Sequence, residues 1–195
     1  MPARASWLWK ANYMRILVAC EFSGIVREAF RARGHESLSC DLLPSERPGP
    51  HYQGDVLDLL GQAWDMLIAF PPCTYLCNSG ARWWAQRQPE QQDALMFVRL
   101  LLNAPIPCVA LENPEGKIST TLRRPDQIIH PWEYGEEEEK KTCLWLKGLP
   151  LLQPTKLMAH REQRCWRLGQ SKDRSRERSR SYPGIAAAMA AQWAK

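Results

Sequence analysis

The sequence predicts one α/β domain, a mostly parallel sheet with helices packed on both faces. Three observations predict it. Short continuous apolar runs, Ile16 to Cys20, Trp64 to Phe70 and Cys108 to Leu111, match the pattern of parallel strands covered on both sides. Between them lie segments with apolar residues at helical spacing, so strand and helix alternate as in successive βαβ units. A chain of 195 residues suffices for one such domain with a real core and is too short for two ordinary ones.

Residues 1–13 show no strand or helix pattern that connects to the first strand. They read as an N-terminal extension, with Met14 as an alternative start and Trp7 and Trp9 available to dock on the surface. After the first strand Gly24 opens a helix in which Ile25, Val26, Ala29 and Phe30 recur at helical spacing, and Gly34 is placed to end it. A strand from about His35 to Cys40 stops at Asp41, and Val56 to Leu60 is a short helical or turn segment. Pro89 and Glu90 begin a helix, proline being tolerated in a first turn, that continues through Ala94, Leu95, Phe97, Val98, Leu101 and Leu102. Pro105 and Pro107 separate it from the strand at Cys108. A further strand runs from Cys143 to Leu146, and the chain ends in a helix from about Ile185 to Trp193. Gly116 to Glu139 reads as a loop able to cover a cleft. The catalytic core is thus expected over 14–149, a short basic segment over 150–183, and a closing helix over 184–195 that packs back on the core.

Apolar residues at 45% and charged residues at 24% exclude global disorder. The net charge of +5 permits a phosphate-rich partner, and its arginines concentrate between Arg161 and Arg180, opposite in sign to the block Glu136 to Glu139. Seven cysteines show no pairs at zinc-finger spacing, so no metal is expected. With no apolar signal segment at the N-terminus, reduced thiols in a cytoplasm, bacterial or phage-infected, are the expectation. No apolar run approaches the roughly 18 residues that span a bilayer, so no membrane partner is expected.

Chemistry concentrates at two strand ends. Pro71-Pro72-Cys73 comes directly after the apolar run to Phe70; two prolines fix two φ angles and cannot donate ladder hydrogen bonds, so the strand stops and the next side chain is aimed. The run Cys108 to Leu111 ends in Glu112-Asn113-Pro114, which brings a carboxylate to the same sheet edge. A thiol and an acid can therefore meet over one substrate. Cys77, four residues on and outside the rigid dipeptide, reads as packing, and Asn113 as an anchor of its turn.

These motifs, in this order, resemble the DNA cytosine-5 methyltransferase family, in which a Pro-Pro-Cys loop and a Glu-Asn-Val strand end carry the chemistry. The resemblance extends to Glu21-Phe22-Ser23-Gly24, similar to the family's first loop, to Gly54-Asp55-Val56, and weakly to Lys140-Lys141-Thr142-Cys143-Leu144-Trp145. Pro114 replaces the family's valine, and Ile25 and Val26 stand where the family usually carries further glycines. The resemblance implies a Rossmann-like fold and S-adenosylmethionine as cofactor, held by Phe22, Ser23, Gly24, Asp41, Asp55 and Pro71. Asp41 would take the ribose hydroxyls and Asp55 the adenine amino group. Cys73 would add to C6 of cytosine as nucleophile and Glu112 would act as the acid at N3.

DNA is the partner so implied. Arg82, Lys140, Lys141, Arg174, Arg176, Arg178 and Arg180 would contact it, the last four spaced to track a phosphate backbone. Three other readings stay open: a non-catalytic DNA-binding relic, an enzyme acting on free cytidine nucleotides, and an amino-group methyltransferase, which Phe70 and Cys73 fit poorly.

Overall fold

The computed structural model describes residues 13–164 and 174–194. The expected extension with Trp7 and Trp9, apart from Tyr13, and the middle of the basic segment lie outside the described residues. Among those described, the strands are β1 (Arg15–Ala19), β2 (Glu36–Asp41), β3 (His51–Gln53), β4 (Met66–Ala69), β5 (Cys108–Asn113), β6 (Gln127–Ile129) and β7 (Thr142–Lys147). They form one sheet in the order β3-β2-β1-β4-β5-β7-β6. The pairs β1–β2, β1–β4, β2–β3 and β4–β5 are parallel, while β7 runs antiparallel to both β5 and β6.

Strand alternation divides the apolar runs between two faces. Ile16, Val18, Met66, Ile68, Ala110 and Leu144 meet α1 (Ile25–Arg31) and the C-terminal helix Pro183–Trp193. Leu17, Ala19, Leu67, Ala69, Val109, Leu111 and Trp145 face α2 (Gln88–Leu102) and α3 (Lys117–Thr121). Both faces are covered, which is why these strands are apolar at every position. The closing helix is all but apolar, and Ile185, Ala186, Ala188, Met189, Ala190 and Trp193 are buried in it. A remaining short helix, Arg174–Ser179, is α4, so the closing helix is α5.

One expectation is overturned. The stretch Gly116 to Glu139 contains α3, β6 and a 3₁₀ turn over Pro131–Glu133 and is not a loop. Elements of three to five residues are too short to show a period; β6 exists because Gln127, Ile128 and Ile129 pair with Leu144, Cys143 and Thr142. Leu152 in the basic segment is fully buried and exchanges two hydrogen bonds with the Gln127 side chain.

The sheet order places a topological switch between β1 and β4, from which the chain winds outward in both directions. Loops at the C-terminal ends of these strands diverge there and leave a crevice. One wall is set by Arg27, a fully buried arginine on α1. Its guanidinium donates to Ser39 Oγ (2.8 Å), Ser45 Oγ (3.1 Å), Arg47 O (3.0 Å) and Pro48 O (3.1 Å), pinning the segment that succeeds β2. Gly24 before the helix has φ +73°, and a Cβ there would lie 2.7 Å from Arg27 Nη2. Glycine is thus required by its own backbone and by the buried guanidinium.

Candidate active site

The crevice holds a cavity of about 230 Å³ lined by Cys20, Asp41, Leu42, Asp55, Pro72 and Phe97, among others. Cys20, with φ 57°, is the only non-glycine residue at positive φ among the described residues. Strained backbone of this kind persists where surrounding structure over-determines it. Asp41 and Asp55 each spend one oxygen on their own turns: Asp41 Oδ1 accepts the Leu43 N–H and Asp55 Oδ1 the Leu57 N–H, both at 2.9 Å. Burial raises the Asp41 carboxyl above the usual carboxylate range, against the pull of the Leu43 hydrogen bond.

The first loop is closed on itself. Phe22 and Ser23 are buried, and the Ser23 hydroxyl donates to Glu21 Oε1, which also accepts the Ile25 N–H at 3.1 Å. Glu21 is 3% exposed and its Oε2 has no hydrogen-bond partner. Burial pushes this carboxyl up, with the Ser23 and Ile25 hydrogen bonds opposing. Pro71 is buried with its carbonyl occupied by Asn113, whereas Pro72 lines the cavity.

The two strand ends carrying the thiol and the acid are fastened together. Asn113, the last residue of β5 and 1% exposed, donates from Nδ2 to Pro71 O at 2.8 Å. On the other side of the Pro-Pro-Cys loop, Cys77 bridges to Gly116, the Asn78 N–H reaches Glu115 O (3.1 Å) and the Lys117 N–H reaches Leu76 O (2.8 Å). A Cβ on Gly116 would overlap the Leu76 carbonyl, so only glycine allows this approach. Cys73 and Glu112, both half-buried, consequently lie close enough to act on one another electrostatically, and Lys140 acts on both.

Their protonation is set by that arrangement. The hydrogen bond shared with Cys77 pushes the Cys73 thiol up, as do burial and Glu112, while Lys140 draws it down. Cys77 moves the opposite way: hydrogen bonds from Cys73, from the Ser79 hydroxyl and from the Gly80 and Ser79 N–H groups favour its thiolate, against burial. Burial raises the Glu112 carboxyl, and the Lys140 ammonium only partly offsets it. The arrangement thus gathers two thiols, a carboxyl raised by burial and a cation near the ends of β4 and β5.

The loop continues as a nine-residue 3₁₀ stretch, Asn78–Gln86, long for that poorly bonded form. Arg82 lies over the Trp83 ring at 5.1 Å and the Lys117 ammonium over Trp84 at 4.7 Å. Trp83 is 43% exposed. Lys141 Nζ is 3.6 Å from Glu115. Arg176 and Arg180 each place Nε 2.9 Å from a Glu46 oxygen, and the Arg176 guanidinium sits over the Phe22 ring at 5.3 Å. These two arginines are thus ion-paired to the loop after β2; Arg178 is exposed, and the Arg174 side chain lies outside the described residues.

Sequence reasoning missed three residues here. Lys140, expected among phosphate contacts, stands beside Cys73 and Glu112 and over the Tyr182 ring at 5.5 Å. Cys77, expected to pack, has its Sγ 3.0 Å from the Ser79 hydroxyl. Glu21 was read only as the first residue of the loop Glu21-Phe22-Ser23-Gly24, with no role of its own. The i, i+4 spacing of Cys73 and Cys77 is a signal that could have linked them. Among the described residues Glu137, His160 and Glu162 could hold a metal ion, but Glu137 and His160 are exposed and His160 lies 3.6 Å from Glu137 and 3.8 Å from Glu162. Among the described residues no helix is long and apolar enough to cross a membrane.

No family model and no curated protein matches the chain. Solved structures do. The backbone is similar to that of the Entamoeba histolytica methyltransferase EhMeth, with a TM-score of 0.50, 13% identity, and coverage of 77% of this chain and 57% of that one. An rRNA methylase from Escherichia coli aligns with a TM-score of 0.38 and 12% identity over 72% of this chain and 59% of that one. This chain therefore spans little more than half the length of either. At such identity the likeness to EhMeth speaks to fold, and with the sheet order and the crevice at β1 and β4 it gives the chain a Rossmann-like methyltransferase fold.

Proposed function

We propose that this chain transfers a methyl group to C5 of cytosine in DNA, with S-adenosylmethionine as donor, through a covalent adduct on Cys73. The observation that carries the reading is the meeting of Cys73, Glu112 and Lys140 at the ends of β4 and β5, beside a cavity at the sheet's switch point. Cytosine C5 is too weak a nucleophile to take a methyl group unaided. Addition of a thiolate to C6 makes C5 electron-rich, and a protonated carboxyl at N3 stabilises the adduct. Glu112, kept protonable by burial, suits the second task.

The cavity suits the donor in part. Its volume of about 230 Å³ is below the roughly 300–1,000 Å³ of ligand pockets, which fits a nucleoside moiety better than the whole cofactor. Asp41 would accept from ribose hydroxyls and Asp55 from the adenine amino group, each with the oxygen not used by its turn. Phe22, Ser23 and Gly24 would hold the rest through their loop, and Pro71 through the backbone it shares with Pro72. When bound, the donor supplies an electrophilic methyl group. Arg82, Lys141 and Arg178, with Arg174, would meet phosphates, and Arg176 and Arg180 would do so by giving up Glu46.

The test is transfer of labelled methyl groups to duplex DNA and to free cytidine nucleotides, by the native chain and by Cys73→Ser, with trapping on 5-fluorocytosine DNA. Label in DNA that vanishes in the variant, together with a trapped adduct, is expected. Label in nucleotide alone would move the substrate to free nucleotides. Donor binding with no transfer would leave a DNA-binding relic and end the catalytic reading.

A further inference from the structure

The segment after β2 carries a carboxylate into the arginine run near the C-terminus. Arg176 Nε donates to Glu46 Oε1 at 2.9 Å; Arg180 Nε donates to Glu46 Oε2 and its Nη2 to Oε1, both at 2.9 Å. Arg180 thus grips Glu46 with two parallel N–H groups, the same fork a guanidinium presents to a phosphate. The hydrogen bonds from Arg180 and then Arg176 hold the Glu46 carboxyl below its usual range, against burial. On the Glu46 side the backbone is fixed. Buried Arg27 holds Ser45 and Arg47 on either side of it, and the Glu46 N–H donates to Phe22 O at 2.8 Å. The arginine side is the one that can let go: both guanidiniums are nearly half exposed, and ion pairs of that kind contribute little each.

The same contact covers a residue of the donor loop. The Arg176 guanidinium lies 5.3 Å from the centroid of the Phe22 ring, which is 5% exposed and does not line the cavity at the switch point. For Phe22 to touch a donor, what covers its ring has to leave. We propose that Arg176 and Arg180 form a latch held closed across the donor loop by Glu46, and that a backbone phosphate of DNA opens it by taking the place of the Glu46 carboxylate. The proposal deepens the methyl-transfer reading and rests on it for the donor and for DNA. In the closed state the arginines are spent on Glu46 and Phe22 is covered. In the open state they hold a phosphodiester, whose single negative charge and paired oxygens match those of the carboxylate, and the Phe22 ring can pack on the donor. The cavity of about 230 Å³, small for a whole donor, belongs to the closed state. Because one exchange serves both ligands, DNA tightens donor binding and donor tightens DNA binding by the same factor.

Calorimetry of S-adenosylhomocysteine, the demethylated donor, binding to the native chain, to Glu46→Gln and to Arg176→Ala tests it, each with and without duplex DNA. Glu46→Gln removes the charge that holds the latch and keeps the backbone N–H that reaches Phe22. Without DNA this variant should bind S-adenosylhomocysteine about threefold to tenfold more tightly, within what two exposed ion pairs supply, and should bind duplex more tightly as well. Arg176→Ala should also gain affinity for S-adenosylhomocysteine while losing affinity for duplex, opposite changes that a merely structural loss would not produce. Duplex should tighten S-adenosylhomocysteine on the native chain and leave it unchanged on Glu46→Gln. Unchanged S-adenosylhomocysteine affinity in Glu46→Gln overturns the latch, as does a native affinity indifferent to duplex. Coupled binding with no methyl transfer to any cytosine refutes the reaction and leaves the latch standing; methyl transfer with uncoupled binding does the reverse. Failure of every form to bind S-adenosylhomocysteine, with or without duplex, ends both.

Discussion

The tether between β5 and the Pro-Pro-Cys loop sets the positions of acid and nucleophile, and Asn113→Ala removes it. The lost hydrogen bond, Nδ2 to Pro71 O at 2.8 Å, lies in a residue 1% exposed, so the Pro71 carbonyl is left buried without a partner. Orphaning a buried acceptor costs about 1–3 kcal/mol. Part is returned, because Asn113 Oδ1 is itself buried without a partner and its removal relieves that penalty. The net loss is about 1–2 kcal/mol, which for a chain of this size lowers Tm by roughly 2–8 °C. The effect on chemistry is larger: a freed loop lets the Cys73 sulfur stray from Glu112, and misplacement by about 1 Å can cost about a hundredfold in rate. Thermal melting and the rate of 5-fluorocytosine adduct formation measure the two effects. A variant that loses the stability but keeps the native adduct rate would show that the loop holds its aim without the strand end, and the geometric account of the site would fail.

Arg27→Met leaves the Arg47 and Pro48 carbonyls without their donor and should cost about 3 kcal/mol or more in urea unfolding, with weaker donor binding by calorimetry; a loss under about 1 kcal/mol would refute its role as wall-holder. Gly116→Ala forces a Cβ onto the Leu76 carbonyl, and should abolish adduct formation while the chain still binds donor; unimpaired adduct formation would sink the clamp. Glu112 has a folded pKa raised by burial, so the stability it contributes is full below its unfolded value of about 4.3 and is lost as pH rises through the raised value. Glu112→Gln should therefore gain on the native chain in urea midpoint as pH rises above about 4.3, while losing methyl transfer at every pH; a midpoint difference that is flat with pH would contradict the raised carboxyl.

The fold was legible because its signal is burial. Strands between two helix layers must be apolar at every position, and Ile16 to Cys20, Trp64 to Phe70 and Cys108 to Leu111 say so without a partner in view. What stayed illegible needed partners from distant sequence. β6 is three residues held by β7, and Arg27 looks like a polar-face residue until Ser39, Ser45, Arg47 and Pro48 close around it. At the site, Pro71-Pro72-Cys73 and Glu112-Asn113 were readable as strand ends because each directly follows an apolar run and is bounded by proline, which stops strands. Lys140 was not, since nothing local in Lys140-Lys141 separates the ammonium that stands beside Cys73 from the one that pairs with Glu115.

Several of the chain's departures from ordinary structural rules collect at one place. Cys20 at positive φ, the buried Glu21 carboxylate with an unpartnered oxygen, the buried Asn113 amide oxygen and the raised Glu112 carboxyl all lie just past the C-terminal end of β1 or within the last two residues of β5. Each costs stability that a core position would not tolerate without return. They sit at the C-terminal ends of β1 and β5, on either side of β4, and polar groups held short of satisfaction are what the proposed site would offer a substrate to complete. Arg27, by contrast, is buried and fully engaged, and it serves the scaffold that keeps the unsatisfied groups where they are.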